Sequence, residues 1–188
     1  MMMEGTANKT PIELEEAIDA LGSSVNMYTS KGSINIEVFS LKRNFKETLT
    51  LVEEILFEPR WDSKEFERIK RQTAEQIKRR SASPSTIASQ VFNKLNFGAH
   101  ILSNSTSGTV ESVQSILLED LKSFYNSNFS SNLAKISIVG DIRKNEAINA
   151  LGGIVEKWDD KGIEIPMSPL PDPNKKAKVY FVDVPDAK

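Results

Sequence analysis

His100 is the only histidine among the 188 residues, and the chain has no cysteine. Imidazole and thiolate are the groups on which most metal centres and nucleophile–base pairs rest. Here they are reduced to one ring in the turn after Phe97-Gly98, with no partner fixed by spacing, so His100 reads as a loop or partly buried structural residue. A long helix from Ser63 to about Arg80 carries Ile69, Thr73 and Gln76 on one ridge, positions 69 and 76 being seven apart. That ridge has no formal charge. A glutamine offers a carbonyl oxygen but cannot help neutralise a dication as a carboxylate does. Glu75 is one residue away, and bringing it to the place of Gln76 turns the helix by about 100°. The basic residues of the same helix, from Lys64 to Arg80, could track phosphates, but Glu65, Glu67 and Glu75 are interleaved and the run reads as a solvated face. Gly140-Asp141 and Gly152-Gly153 lack the spacing and the following Lys-Ser/Thr of a phosphate loop.

Composition narrows the classes further. A length of 188 residues suits one sizeable core. A net charge of -2 supplies no global field for nucleic acid or anionic membrane. Absence of cysteine excludes disulfides and thiolate metal sites, and no apolar run approaches the roughly 18 residues of a membrane span. Met1-Met2-Met3-Glu4-Gly5-Thr6 has neither the basic lead nor the apolar stretch of a signal peptide, and the chain reads as though cut from something longer.

The elements that must position these residues follow from periodicity and punctuation. Thr10, Pro11 and Glu13 spell a capped helix start whose apolar stripe runs to Leu21, with Gly22 as its stop. Val25, Met27, Thr29 and then Ile34, Ile36, Val38 alternate with polar residues around Lys31-Gly32, the pattern of a hairpin. Phe45, Leu49, Val52, Ile55 and Leu56 recur at helical spacing up to Pro59, and Asp62 or Ser63 caps the long helix. Further helices are expected after Pro84 as far as Gly98, over 110–116 and 118–129, and over 145–158, the last weakened by its glycine pair. Ala134 to Val139 and Val179 to Val184 read as strands, and 161–176, with Pro166, Pro169, Pro171 and Pro173, as an extended linker. Hairpin strands with segregated helices give an α+β class.

Taken in order, several segments resemble the pitrilysin, insulinase and mitochondrial processing peptidase superfamily, and in particular its bacterial non-catalytic halves. They are Glu4-Gly5-Thr6, Leu14 to Gly22 followed by Asn26-Met27-Tyr28-Thr29, Glu67-Arg68, and Phe97-Gly98-Ala99-His100. Ser107 to Val113, Asp120-Leu121 to Phe124-Tyr125 and Ile138-Val139-Gly140-Asp141 continue the match. The resemblance implies a truncated half-domain over residues 1–160, an antiparallel-rich mixed sheet with helices packed on one side. Residues 161–188 would be a linker and strand leading toward a second, homologous half. Halves of this kind close like a clamshell over a peptide.

Catalytic members hold zinc through H-x-x-E-H and a distant glutamate. By the same resemblance that motif would precede Met1, and the distant ligand would fall at Gln76, with Ile69 at a second position that is acidic in active relatives. Glu75 is the weaker alternative ligand. No zinc is therefore expected in this chain. Asn26, Met27, Tyr28 and Thr29 correspond to an edge strand that pairs with substrate backbone in catalytic relatives, although Met27 replaces a small alanine; core-facing strand residues are the plain alternative. The implied partners are a peptide or unfolded protein, a zinc-bearing half on this or another polypeptide, and homo- or hetero-oligomers, with no nucleic acid and no membrane span. The bacterial relatives imply a cell-envelope or periplasmic setting. Two other readings stay open: an active zinc endopeptidase whose H-x-x-E-H lies upstream, and a structural assembly subunit. With part of the implied sheet absent, the segment alone is expected to be marginal, oligomeric or complemented by another fragment.

Overall fold

The computed structural model describes residues 1–30, 32–169, 171 and 177–183. Contacts divide the chain into two compact units, 1–67 with 117–164 and 68–116 with 165–188.

The first unit begins with α1 (Pro11–Ala20), and its cap is the one the sequence spells. The Thr10 hydroxyl accepts the Glu13 N–H at 3.3 Å, while the Glu13 carboxylate accepts the Thr10 N–H at 2.7 Å. The Thr10 backbone bond, then its hydroxyl, holds the Glu13 carboxyl below its ordinary range. Asp62 is lowered likewise by the N–H groups of Glu65 and Lys64 at the start of α3 (Ser63–Arg80). A depressed carboxyl pKa stabilises above the unfolded value and ceases to do so as pH falls through the folded one. Denaturation midpoints should therefore fall in acid, below the ordinary carboxylate range. Measured by urea titration at pH 7 and pH 3, that fall should be smaller in Glu13→Gln than in the parent chain.

Leu14 and Ile18 point from α1 into the core. They meet Leu49, Val52, Ile55 and Leu56 of α2 (Phe45–Phe57), which recur at the helical period and are all buried. β1 (Ser24–Ser30) and β2 (Ser33–Phe39) form an antiparallel ribbon in the register Val25↔Val38, Met27↔Ile36, Tyr28↔Asn35. The alternation predicted for the hairpin is therefore real. Val25, Met27 and Ile36 face the core, while Asn26, Tyr28 and Glu37 lie on the other face. A hydroxyl trio fastens the ribbon to α2, with the buried Thr48 Oγ1 2.7 Å from Ser23 Oγ and 2.9 Å from Ser40 Oγ.

α6 (Leu118–Asn128) adds Tyr125, whose hydroxyl donates to the Leu56 carbonyl at 2.5 Å. The helix expected over 145–158 is two helices, α7 (Lys144–Ala150) and α8 (Gly152–Lys157), divided at Leu151. Gly153 lies against the Glu53 carboxylate, which pairs with Lys157 at 2.6 Å and ties α8 to α2; a Cβ at Gly153 would make that flexible side chain shift.

Two expected strands are not ladders among the described residues. Residues 134–139 pair with no neighbour, and neither do 179–183; Val184 and much of the proline-rich connector lie outside the described residues. A strand exists only where another backbone takes up its N–H and C=O groups, and no partner for these segments is described. The sheet is accordingly two-stranded, with helices on its core face.

The second unit continues α3 beyond Arg68 and adds α4 (Pro84–Phe97) and α5 (Val110–Ser115). Lys70 Nζ donates to the Ile116 carbonyl at 2.8 Å, and Arg80 to Ser107 Oγ at 3.3 Å. Its core is slight. Among the buried apolar residues described, only Ala74 belongs to it.

Candidate functional site

β1 and the uncharged ridge of α3 belong to different units, and each stands by itself. β1 has β2 on one side and no described strand on the other. In an antiparallel ladder alternate residues turn their N–H and C=O groups away from the partner strand, so the open side of β1 presents such groups to an extended chain. Asn26 and Thr29 are exposed and Tyr28 is 47% exposed. The Tyr28 hydroxyl donates to Glu37 Oε1 at 2.8 Å, and that bond raises the phenol's pKa. Met27 packs against the core. Its bulk is spent on the inner face and leaves the open edge of β1 unobstructed.

On α3, Ile69 and Thr73 are half-buried and Gln76 is exposed. Glu75 lies across the helix from that ridge, exposed, and pairs with Lys78 at 3.1 Å. Turning α3 to bring Glu75 onto the ridge would lift Ala74 out of its buried position. His100 is committed elsewhere. Its Nδ1 accepts the Leu102 N–H at 3.1 Å, capping the 3-10 turn Ile101–Ser103, and its Nε2 stands 3.0 Å from Ser168 Oγ. With Nδ1 accepting, the neutral ring carries its proton on Nε2 and donates it to Ser168. Among the described residues no three His, Cys, Asp or Glu side chains converge as a metal would require. Ile, Thr and Gln do not form a zinc donor set, and these residues do not fit that metal.

Sequence reasoning missed the tie between the loop before α1 and α2. Thr6, fully buried, donates from Oγ1 to Glu54 Oε2 at 3.1 Å, and Lys9 Nζ grips both oxygens of Glu54 at 2.9 and 2.8 Å. It also missed an aromatic stack. Trp158 lies on Phe129 with centroids 4.7 Å apart, and Phe129 on Tyr125 at 5.0 Å. Tyr125 and Phe129, four apart at the end of α6, were the available signal for the stack; nothing local marks Thr6 with Glu54.

Fold and site thus define an α+β scaffold with a two-stranded ribbon, open along β1 and along β2, and no metal-ligating constellation among the described residues. Residues 1–110 match the family model described as Insulinase (Peptidase family M16), and residues 115–188 match Peptidase M16 inactive domain. The chain belongs to peptidase family M16. It is 26% identical over 158 residues to a protein named "Uncharacterized zinc protease YmxG" from Bacillus subtilis, covering 84% of this chain and 37% of that one. It is 24% identical over 188 residues to "Non-peptidase homolog YmxG" from Helicobacter pylori, covering 100% of this chain and 43% of that one. A peptidase M16 inactive domain structure from Pseudomonas fluorescens superposes with TM-score 0.83 at 22% identity, over 92% of this chain and 42% of that one. The chain spans about two fifths of the length of these curated relatives. One relative is named a protease and another a non-peptidase, so membership leaves catalysis to be argued from residues.

Proposed function

We propose that this chain is part of a non-catalytic half of an M16 assembly, one that holds extended peptide along β1 while a zinc-bearing half, on this or another polypeptide, completes a clamshell chamber. The observation that carries the proposal is the Ile69–Thr73–Gln76 ridge, which offers no carboxylate where active relatives are acidic. The match to the inactive-domain model and the non-peptidase relative support the same reading. The open edge of β1 supplies the means of holding, because main-chain hydrogen bonds bind extended peptide with little sequence preference.

The test is fluorescence anisotropy with a labelled unstructured peptide and the full-length protein. Binding is expected, and neither it nor any cleavage by a zinc-bearing half should change in Glu75→Gln. N-methylation of alternate peptide amides should weaken it by at least about tenfold, about 1.4 kcal/mol, by removing the edge bonds. Peptide cleavage that a chelator stops and Glu75→Gln abolishes would overturn the reading in favour of an active enzyme. Failure of N-methylation to weaken binding would remove β1 from it. Gln76→Glu alone should leave zinc well below one equivalent per chain by elemental analysis, since one added carboxylate leaves Ile69 and Thr73 beside it. Tight stoichiometric uptake by that variant would contradict the proposal.

A further inference from the structure

His100 is the one histidine of the chain, and the holding of peptide along β1 leaves it unused. Its backbone is fixed as firmly as its ring. The His100 N–H donates to the Phe97 carbonyl at 2.9 Å, and the His100 carbonyl accepts the Ser103 N–H at 2.9 Å. Nδ1 accepts the Leu102 N–H at 3.1 Å, so the ring is committed to the 3-10 turn Ile101–Ser103 that follows α4. Nε2 is the polar ring atom left over, and it stands 3.0 Å from Ser168 Oγ.

Ser168 belongs to the connector, whose residues 165–169 fall in the second unit with His100. Little else holds this segment. Ile165 is 74% exposed and Met167 97%, and Pro166 and Pro169 have no N–H to donate. Among the described residues from Glu164 onward, the contact with His100 is the one hydrogen bond. A proline-rich segment is stiff, so a single point of attachment sets its direction. A lone hydrogen bond is also easily given up, because it biases an equilibrium by only about tenfold.

The donor and acceptor pattern of the ring decides what releases it. Nδ1 can accept the Leu102 N–H only while the ring is neutral, which places the proton on Nε2 and directs it at Ser168. A second proton turns Nδ1 into a donor facing another donor. The Leu102 bond is then lost, the ring must turn, and Nε2 leaves Ser168. Imidazole is the side chain that ordinarily changes charge between about pH 5 and 8. Of the elements against the ring, residues 165–169 and the 3-10 turn carry no titratable side chain, and α4 carries Lys94 alone.

We propose that His100 and Ser168 form a pH-sensitive latch on the connector, closed while the imidazole is neutral and opened by its protonation. The closed state needs an acceptor at Nδ1, so it is favoured at higher pH and lost as pH falls. In mild acid residues 165–169 leave the 3-10 turn, and the second unit no longer sets their direction. This inference does not depend on peptide being held at β1.

The experiment is NMR on the full-length protein between about pH 7.5 and about pH 5, with far-UV circular dichroism to confirm that each variant folds. The His100 ring signals are assigned by their loss in His100→Asn. A nuclear Overhauser contact between that ring and the Ser168 β protons should be present at the higher pH and lost at the lower. The Met167 amide signal should move with the ring signals through one transition. Ser168→Ala should hold the Met167 amide at its acid position throughout, while the ring signals still respond to pH. His100→Asn keeps a side-chain oxygen to cap Leu102 but is too short to reach Ser168, so it should fold and show the acid position at every pH. A ring–Ser168 contact that persists in acid overturns the proposal. So does a Met167 amide that ignores Ser168→Ala, or one that still moves with pH in His100→Asn.

Discussion

Trp158→Ala should destabilise the first unit by about 3–5 kcal/mol, the range for removing a large aromatic from a packed site. Trp158 stacks on Phe129, with rings inclined by 18°, and meets Phe57 edge-on at 6.0 Å. Deleting it opens a void at the place where α2, α6 and the end of α8 meet, and each neighbouring ring loses a face of contact. The indole Nε1 is buried with no hydrogen-bond partner among the described residues. An unpaired buried donor costs about 1–3 kcal/mol, so Trp158→Phe exchanges some lost area for relief of that cost. Urea denaturation should therefore place Trp158→Phe much nearer the parent chain than Trp158→Ala. Equal losses in the two variants would show that the ring's polar edge is satisfied and that its full area is needed.

Gly5→Ala is expected to cost about 2–4 kcal/mol, combining backbone strain with a clash against main chain. Gly5 sits at φ +95°, and a Cβ there would lie 2.6 Å from the Lys9 carbonyl oxygen. That oxygen accepts the Thr6 N–H at 2.9 Å and cannot retreat without opening the loop. The loop presents Thr6 and Lys9 to Glu54, so its distortion also loosens the grip on α2. The check is a pair of melting curves, Gly5→Ala beside Ala7→Gly. The first should fall by several degrees and the second much less, because Ala7 is exposed.

Much of this was legible along the chain because it is local. The Thr10-Pro11-Glu13 start of α1, the alternation around Lys31-Gly32, and the helical recurrence of Leu49, Val52, Ile55 and Leu56 each rest on residues within a turn or two of one another. The uncharged ridge of α3 is equally local, since spacing alone puts Ile69, Thr73 and Gln76 on one side. The glycine pair expected to weaken or bend the helix over 145–158 stands where α7 gives way to α8, while the Glu53 carboxylate beside Gly153 comes from a residue a hundred positions away and left no local sign.

The sequence by itself determined the α+β class, the helix starts and stops, which side of each helix is apolar, and the absence of carboxylates on the α3 ridge. Periodicity, capping and side-chain chemistry act over a few residues and need no knowledge of the fold. Tertiary structure alone decided that no described strand pairs with the outer side of β1, that 134–139 has no ladder partner among the described residues, and that α4 keeps its apolar stripe exposed. Each of these depends on which distant segment covers a surface or takes up a backbone bond, and contacts between segments remote in sequence leave no local pattern to read.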